Sequence, residues 1–210
     1  MYLGVSGKLG VGKNYITEHY IVPKIINKFS NNKIQIVPYF FSFGSQVKVQ
    51  MFSRDSSDVL NYHNLFIQKT NETRTMIQEY ATENGRDVYR EDMWIRAVNL
   101  WTIIQNRNLE VINKYVDRKL VPLFVIEDVR FTNEYEYIKH LDGILVYIEA
   151  PERNMKRLSY ESTATSRTHI SENGLGHLDF DLRLNNDPEY KDIIEKDIDR
   201  YMKTINKTHK

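Results

Sequence analysis

Eight residues near the start of the chain, Gly7-Lys8-Leu9-Gly10-Val11-Gly12-Lys13-Asn14, have the composition and spacing of a loop that wraps phosphate. Glycines at its first and sixth places let successive backbone N–H groups turn inward around an oxyanion, and a helix beginning directly after it adds its positive N-terminal end. Lys13 then reaches the terminal phosphates of the bound chain as a point charge. Ser or Thr normally follows that lysine and puts a hydroxyl on magnesium, whereas this chain has Asn14. Two roles for Asn14 are open: its amide oxygen holds the ion or one of its waters, or the side chain caps the helix.

A second charged group follows the apolar run Val121 to Ile126, in the order Glu127-Asp128-Val129-Arg130. Such a run suits a buried parallel strand, which delivers these charges at its C-terminal end, where ligands of open α/β sheets bind. Asp128 and Arg130 are two apart, so in extended geometry they share a side. There Asp128 could hold magnesium or orient an acceptor while Arg130 grips a phosphoryl oxygen, or the two could simply pair with each other. More cations lie at Arg153 and Arg157, four apart, and at Arg167 within a Ser-, Thr- and Gly-rich stretch that reads as a mobile lid. Arg74, Gln78, Thr82, Glu83 and Arg86 gather polar groups around a helix end. The arginines and this cluster read equally well as solvated surface.

These residues need a frame. Tyr2 to Ser6 reads as a strand feeding the glycine loop, and Tyr15 to Phe29 as a helix that Pro23 kinks or interrupts. Ile34 to Phe41 is a second strand, which Pro38 places at an edge or an end. A helix opening at Phe43 turns Val47, Met51 and Phe52 inward, and Thr70 to Asn84 is helical until Gly85 stops it. Over Asp92 to Gln105, Met93, Ala97, Leu100, Trp101 and Ile104 recur at steps of three and four, which predicts an amphipathic helix with both Trp94 and Trp101 in the core. A helix over 133–140, a strand over 144–148, a short strand within 179–186 and a helix over 189–205 with Ile193, Ile194, Ile198 and Tyr201 inward complete the pattern. Alternation of strands and helices after a glycine loop predicts a doubly wound, mainly parallel α/β sheet.

With 210 residues, 41% of them hydrophobic, a single domain spanning 1–210 with one core is expected. Basic and acidic residues number 29 and 28, so no general polyanion-binding field is implied, and no nucleic-acid partner. The absence of cysteine excludes disulfides and thiol nucleophiles, and six scattered histidines lack a zinc spacing. No apolar run approaches membrane-spanning length, so a soluble cytoplasmic protein without a membrane partner is expected.

Taken together, the segments SGKLGVGKN at 6–14, TRTMIQEYATENGRDVYREDMW at 73–94, VIEDVRFTNEYEYI at 125–138 and HISENGL at 169–175 resemble the deoxynucleoside monophosphate kinases of tailed phages and large DNA viruses, within the adenylate-kinase-like P-loop kinases. The resemblance implies a central parallel sheet, a monophosphate-binding region at about 45–110 and a lid at about 153–175. It implies ATP as phosphoryl donor, Mg²⁺ as cofactor, a dNMP as acceptor, the host cytoplasm as location if the chain is viral, and room for a homodimer. Carried over residue by residue, Gly7, Lys8, Gly10, Gly12, Lys13, Asn14, Tyr15, Arg153 and Asn186 fall to the ATP side. Lys48, Arg74, Gln78, Glu83, Arg86, Trp94, Arg130 and Arg167 fall to the acceptor, Asn14 and Asp128 to the metal, and Lys13, Asp128, Arg130 and Arg157 to catalysis. Ala81 and Asn84 depart from the family's Gly-Thr-Glu-Trp pattern where base recognition would lie. A phosphomevalonate-kinase-like enzyme shares the loop and the order of elements, and a non-catalytic nucleotide-binding module is the reading of another class.

Overall fold

The computed structural model describes residues 1–54, 63–67, 70–153, 155 and 174–205. Five strands, β1 (Tyr2–Ser6), β2 (Ile34–Phe41), β3 (Lys119–Val129), β4 (Ile144–Glu149) and β5 (Leu182–Asn185), form one sheet in the order β2-β3-β1-β4-β5. Every pairing is parallel. β1 is flanked by β3 on one side and β4 on the other, so the strand order reverses beside the very strand that feeds the glycine loop. In an open parallel sheet that reversal leaves a crevice at the carboxyl ends of the strands.

The strands carry apolar residues on both faces, as a sheet covered by helices on each side demands. Leu3, Val5, Leu123, Val125, Val146 and Ile148 face one way and pack under α1 (Lys13–Ile16), α2 (Val22–Phe29) and α7 (Lys191–Thr204). Ile126, Leu145 and Tyr147 face the other way, under α3 (Phe43–Arg54), α5 (Met93–Ile112) and α6 (Thr132–His140). A further helix, α4 (Asn71–Ala81), packs on α3, and Thr70 caps it through its side chain, which accepts from the Thr73 N–H. β2 pairs only with β3, so Pro38 does sit in an edge strand, where a missing N–H costs least.

Several local expectations shift. The helix after the loop runs from Lys13 to Phe29 without a break at Pro23; the irregularity falls one turn earlier, as a π-helical turn at Thr17–Ile21. Pro23 lacks an N–H and its ring would crowd the carbonyl four residues back, and a widened turn just upstream relieves both. Gly85 does not stop α4, because a second π-helical turn, Thr82–Arg86, carries the chain through it. Most consequentially, α5 buries Trp94, Ile95, Val98, Thr102 and Leu109, while Leu100, Trp101 and Ile104 are exposed. The expected inward face was therefore displaced by more than a quarter turn, and Trp101 is not a core residue. Its indole N–H instead donates to Gln46 Oε1 on α3 at 3.0 Å. Phe52 and Ile193 are likewise exposed, whereas Val47, Met51, Ile194 and Ile198 are buried as expected. No described helix is long and apolar enough to cross a membrane.

Candidate active site

The glycine loop leaves β1 and turns into α1 through three residues with positive φ, Gly7 at 145°, Gly10 at 83° and Gly12 at 83°. Gly12 occupies the cap position of α1, so Asn14 does not cap the helix. A Cβ on Gly12 would stand 2.5 Å from Asn186 Nδ2, which identifies what braces the loop from behind. Asn186 donates to the Val11 carbonyl at 2.8 Å, and the Arg153 guanidinium donates to the Asn186 carbonyl at 2.5 Å. Buried Asp187 accepts the backbone N–H groups of Glu152 and Arg153, both at 3.0 Å. The ends of β4 and β5 thus hold the loop's shape, and Arg153 and Asn186 reach it as buttresses. The Lys13 ammonium lies across the loop mouth and donates to the Gly7 and Lys8 carbonyls at 2.8 and 3.0 Å.

The end of β3 departs from simple alternation. Gly4 of β1 is in register with Ile126, but Ser6 is in register with Val129, so two steps along β1 face three along β3. This bulge splits the two carboxylates, a common device where a strand must re-aim side chains near a site. Asp128 turns toward α3 and accepts the N–H groups of Phe43 and Gly44, both at 2.8 Å, so each oxygen anchors the start of that helix. Glu127 turns toward the loop. Its Oε2 accepts from Asn14 Nδ2 at 3.3 Å, and its Oε1 is buried with no hydrogen-bond partner. The sequence reading assigned the metal-side carboxylate to Asp128. Glu127 is the acidic group that stands beside Lys13 and Asn14, and only the bulge distinguishes the two.

Glu127 is 9% exposed, and burial, reinforced by the nearby charges of Glu18 and Asp128 against the pull of Lys13, pushes its carboxyl up to about 7. A carboxyl whose pKa is higher folded than unfolded lets the native state keep a proton that the unfolded chain has lost. Stability therefore falls as pH rises from about 4.5 to about 7. Glu127→Gln removes this slope. The ligand-free variant is expected to melt above the parent at pH 8 and together with it below about pH 4, as thermal unfolding across pH will show. A constant difference across pH would detach the effect from the carboxyl.

Facing the loop is a wall built from the Thr82–Arg86 turn, the end of β3 and the start of α6. Arg86, 7% exposed, pairs with the fully buried carboxylate of Glu134 and donates from Nη1 to the Glu91 carbonyl at 3.0 Å and to Asn133 Oδ1 at 3.3 Å. Its guanidinium stacks over Phe131 at 3.9 Å, and its Nε–H is buried without a partner. Glu134 also reaches back to accept the N–H groups of Arg130 and Phe131, at 2.8 and 3.2 Å. Complete burial pushes its carboxyl up to about 7, against the opposing field of Arg86. Gly85 is required next door, because a Cβ there would sit 2.8 Å from the Trp94 ring. Trp94 is itself fixed by donation to the Ala81 carbonyl at 2.9 Å.

Loop and wall enclose a cavity of about 750 Å³. Of the sequence-derived residues, it brings together Gly10, Gly12, Lys13, Asn14, Tyr15, Lys48, Arg74, Gln78, Arg86, Trp94, Asp128 and Arg130. Glu83 is exposed and does not line it, Gly7 and Lys8 lie in the loop outside its lining, and Arg153 and Asn186 stand behind the loop. Arg157, Arg167 and almost all of the expected lid fall outside the described residues. Five cations line the cavity (Lys13, Lys48, Arg74, Arg86, Arg130) against three carboxylates (Glu127, Asp128, Glu134), so its described lining favours anions. No group of three or more metal-binding side chains gathers among the described residues. A magnesium ion here would rely on one or two side chains plus phosphate oxygens and water, its usual arrangement in phosphoryl-transfer sites.

Compared with protein-family models, no model matches the chain, and no curated protein matches it either. The resemblance to nucleotide kinases therefore rests on short sequence motifs.

Proposed function

We propose that this chain is an ATP-dependent kinase that transfers the γ-phosphoryl group to a deoxynucleoside monophosphate. The observation that carries this reading is the presence of two cationic groups in one cleft: the glycine loop with Lys13, and the wall bearing Arg86 and Arg130, with Arg74 of α4 also in the lining. A module that only binds a nucleotide needs the first group alone. The sheet order and the loop after the first strand agree with a P-loop kinase.

In this reading the triphosphate lies in the loop, its charge met by backbone N–H groups and Lys13. The acceptor monophosphate lies against the wall, where the unpartnered Nε–H of Arg86 is a buried donor that an oxyanion would satisfy. An acceptor phosphate oxygen bonds to the γ-phosphorus, the bond from that phosphorus to the β–γ bridging oxygen breaks, and ADP leaves with the electron pair. Arg130, at the end of β3, neutralises the charge that spreads over the three equatorial oxygens in transit. Magnesium fits the residues present: Glu127 carries an unpartnered buried oxygen, and Asn14 donates its amide to the other oxygen of that carboxylate. Glu127 would hold the ion or one of its waters, with Asn14 positioning that carboxylate, and when bound the ion would supply neutralisation of the β- and γ-phosphates.

A coupled ADP-release assay with Mg-ATP, run against the common NMPs, dNMPs and phosphomevalonate, tests the proposal. Turnover of at least one dNMP is expected. No dNMP turnover above the phosphomevalonate rate rejects it. In the same assay, Asn14→Ala is expected to raise the magnesium concentration giving half-maximal rate, while Asn14→Ser and Asn14→Thr stay active. An unchanged magnesium midpoint in Asn14→Ala would remove the residue from the metal's surroundings.

A further inference from the structure

Trp101 stands outside the core, 43% exposed on α5 and outside the lining of the cavity, yet its indole N–H donates to Gln46 Oε1, and Gln46 does line the cavity. An indole nitrogen only donates, so the Gln46 amide has a single setting: its oxygen faces Trp101, and Nε2 keeps both of its N–H groups for another partner. Among the described residues nothing accepts from that nitrogen. The main chain of Gln46 is held as well. The residue lies in the first turn of α3, where Asp128 accepts the N–H groups of Phe43 and Gly44. A half-buried neutral side chain is thus set from two directions, by β3 through the backbone and by α5 through the amide, and the group left over is a donor.

We propose that Gln46 is a specificity-determining residue that donates to an acceptor atom on the base of the dNMP, and that Trp101 is a positioning residue that holds the amide in its donating setting; this rests on the kinase reading above. The charges in the lining support base over phosphate. Phosphate oxygens are met best by full positive charge, which Lys13, Arg86 and Arg130 supply, whereas a neutral amide suits a carbonyl oxygen or a ring nitrogen. α3 and α4 pack together, and besides their polar residues they add Val47, Ile77 and Ala81 to the lining. Apolar walls with a few placed polar groups are what holds and orients a planar base. A donor locked in one setting also discriminates, because a base that covers it without offering an acceptor leaves the N–H desolvated and unpaired. Without the indole the amide is free to turn and to present oxygen or nitrogen as the base requires, so binding survives and selectivity falls.

Steady-state kinetics with the common dNMPs, with deoxyribose 5-phosphate as a competing ligand that has no base, tests this. Gln46→Met keeps the length of the side chain and removes its donors. It is expected to raise the KM of the best dNMP about tenfold or more, with kcat and the KM for ATP nearly unchanged. Trp101→Phe keeps a ring and removes only the indole donor; it should raise that KM less and narrow the spread of kcat/KM across the bases. Inhibition by deoxyribose 5-phosphate should be the same in the parent and both variants. A dNMP KM that Gln46→Met leaves unchanged overturns the inference, and so does a rise matched by an equal loss of deoxyribose 5-phosphate inhibition, which would move Gln46 to the phosphate. A base preference that Trp101→Phe leaves intact overturns the positioning role. A parent that turns over no dNMP overturns the kinase reading itself, and this inference with it.

Discussion

Arg130→Ala is expected to lower kcat by about a hundredfold or more while leaving ATP affinity nearly unchanged. Arg130 stands at the end of β3 where the chain leaves the sheet, lines the cavity opposite the glycine loop, and has its backbone N–H fixed by Glu134 at 2.8 Å. In the proposed reaction a guanidinium placed there would meet charge that develops only as the phosphoryl group leaves ADP, so its loss would raise the barrier without loosening the bound triphosphate. Arg130→Lys should not recover the rate, because a compact ammonium cannot span two equatorial oxygens as a planar fork does. Steady-state kinetics beside calorimetric titration of ATP separates the terms. A variant with normal kcat and a lowered melting temperature would make Arg130 a structural residue.

The second large effect concerns stability. Glu134→Ala is expected to cost about 3–5 kcal/mol, because it strands the buried guanidinium of Arg86 without its counter-charge. It also takes the acceptor from the N–H groups of Arg130 and Phe131. Replacing both partners with apolar groups, Arg86→Met with Glu134→Leu, should recover most of that loss, since a buried ion pair is costly to break and far less costly to remove whole. Activity should not return with it: the double variant lacks the Arg86 donor in the acceptor wall and the anchor that orients Arg130. Urea unfolding and the ADP-release assay on the same three proteins give both readings. A Glu134→Ala variant as stable as the parent would show that Arg86 finds another partner, and a fully active double variant would remove the pair from the acceptor site.

The glycine loop and the sheet were legible in the sequence because both are written in short-range spacing. Gly7, Gly10 and Gly12 adopt backbone angles that only glycine takes readily, and Lys13 must follow the last of them. The apolar runs of β3 and β4 have no polar face, which by itself requires helices on both sides and hence a parallel sheet. The split between Glu127 and Asp128 was not legible. Adjacent carboxylates at a strand end look equivalent until pairing with β1 inserts a bulge and sends one to the loop and the other to α3. Glu134 was hidden for a different reason: its partner Arg86 is 48 residues away, and nothing local marks a glutamate in the first turn of α6 as a buried counter-ion. α5 failed most plainly. A helix with apolar residues on both faces has two self-consistent phases, and periodicity carries no term for which one meets the sheet. The periodicity by itself determined that residues 92–105 form an amphipathic helix; only packing against β3 and α3 decided that Trp94 and Val98 go in while Trp101 and Ile104 stay out.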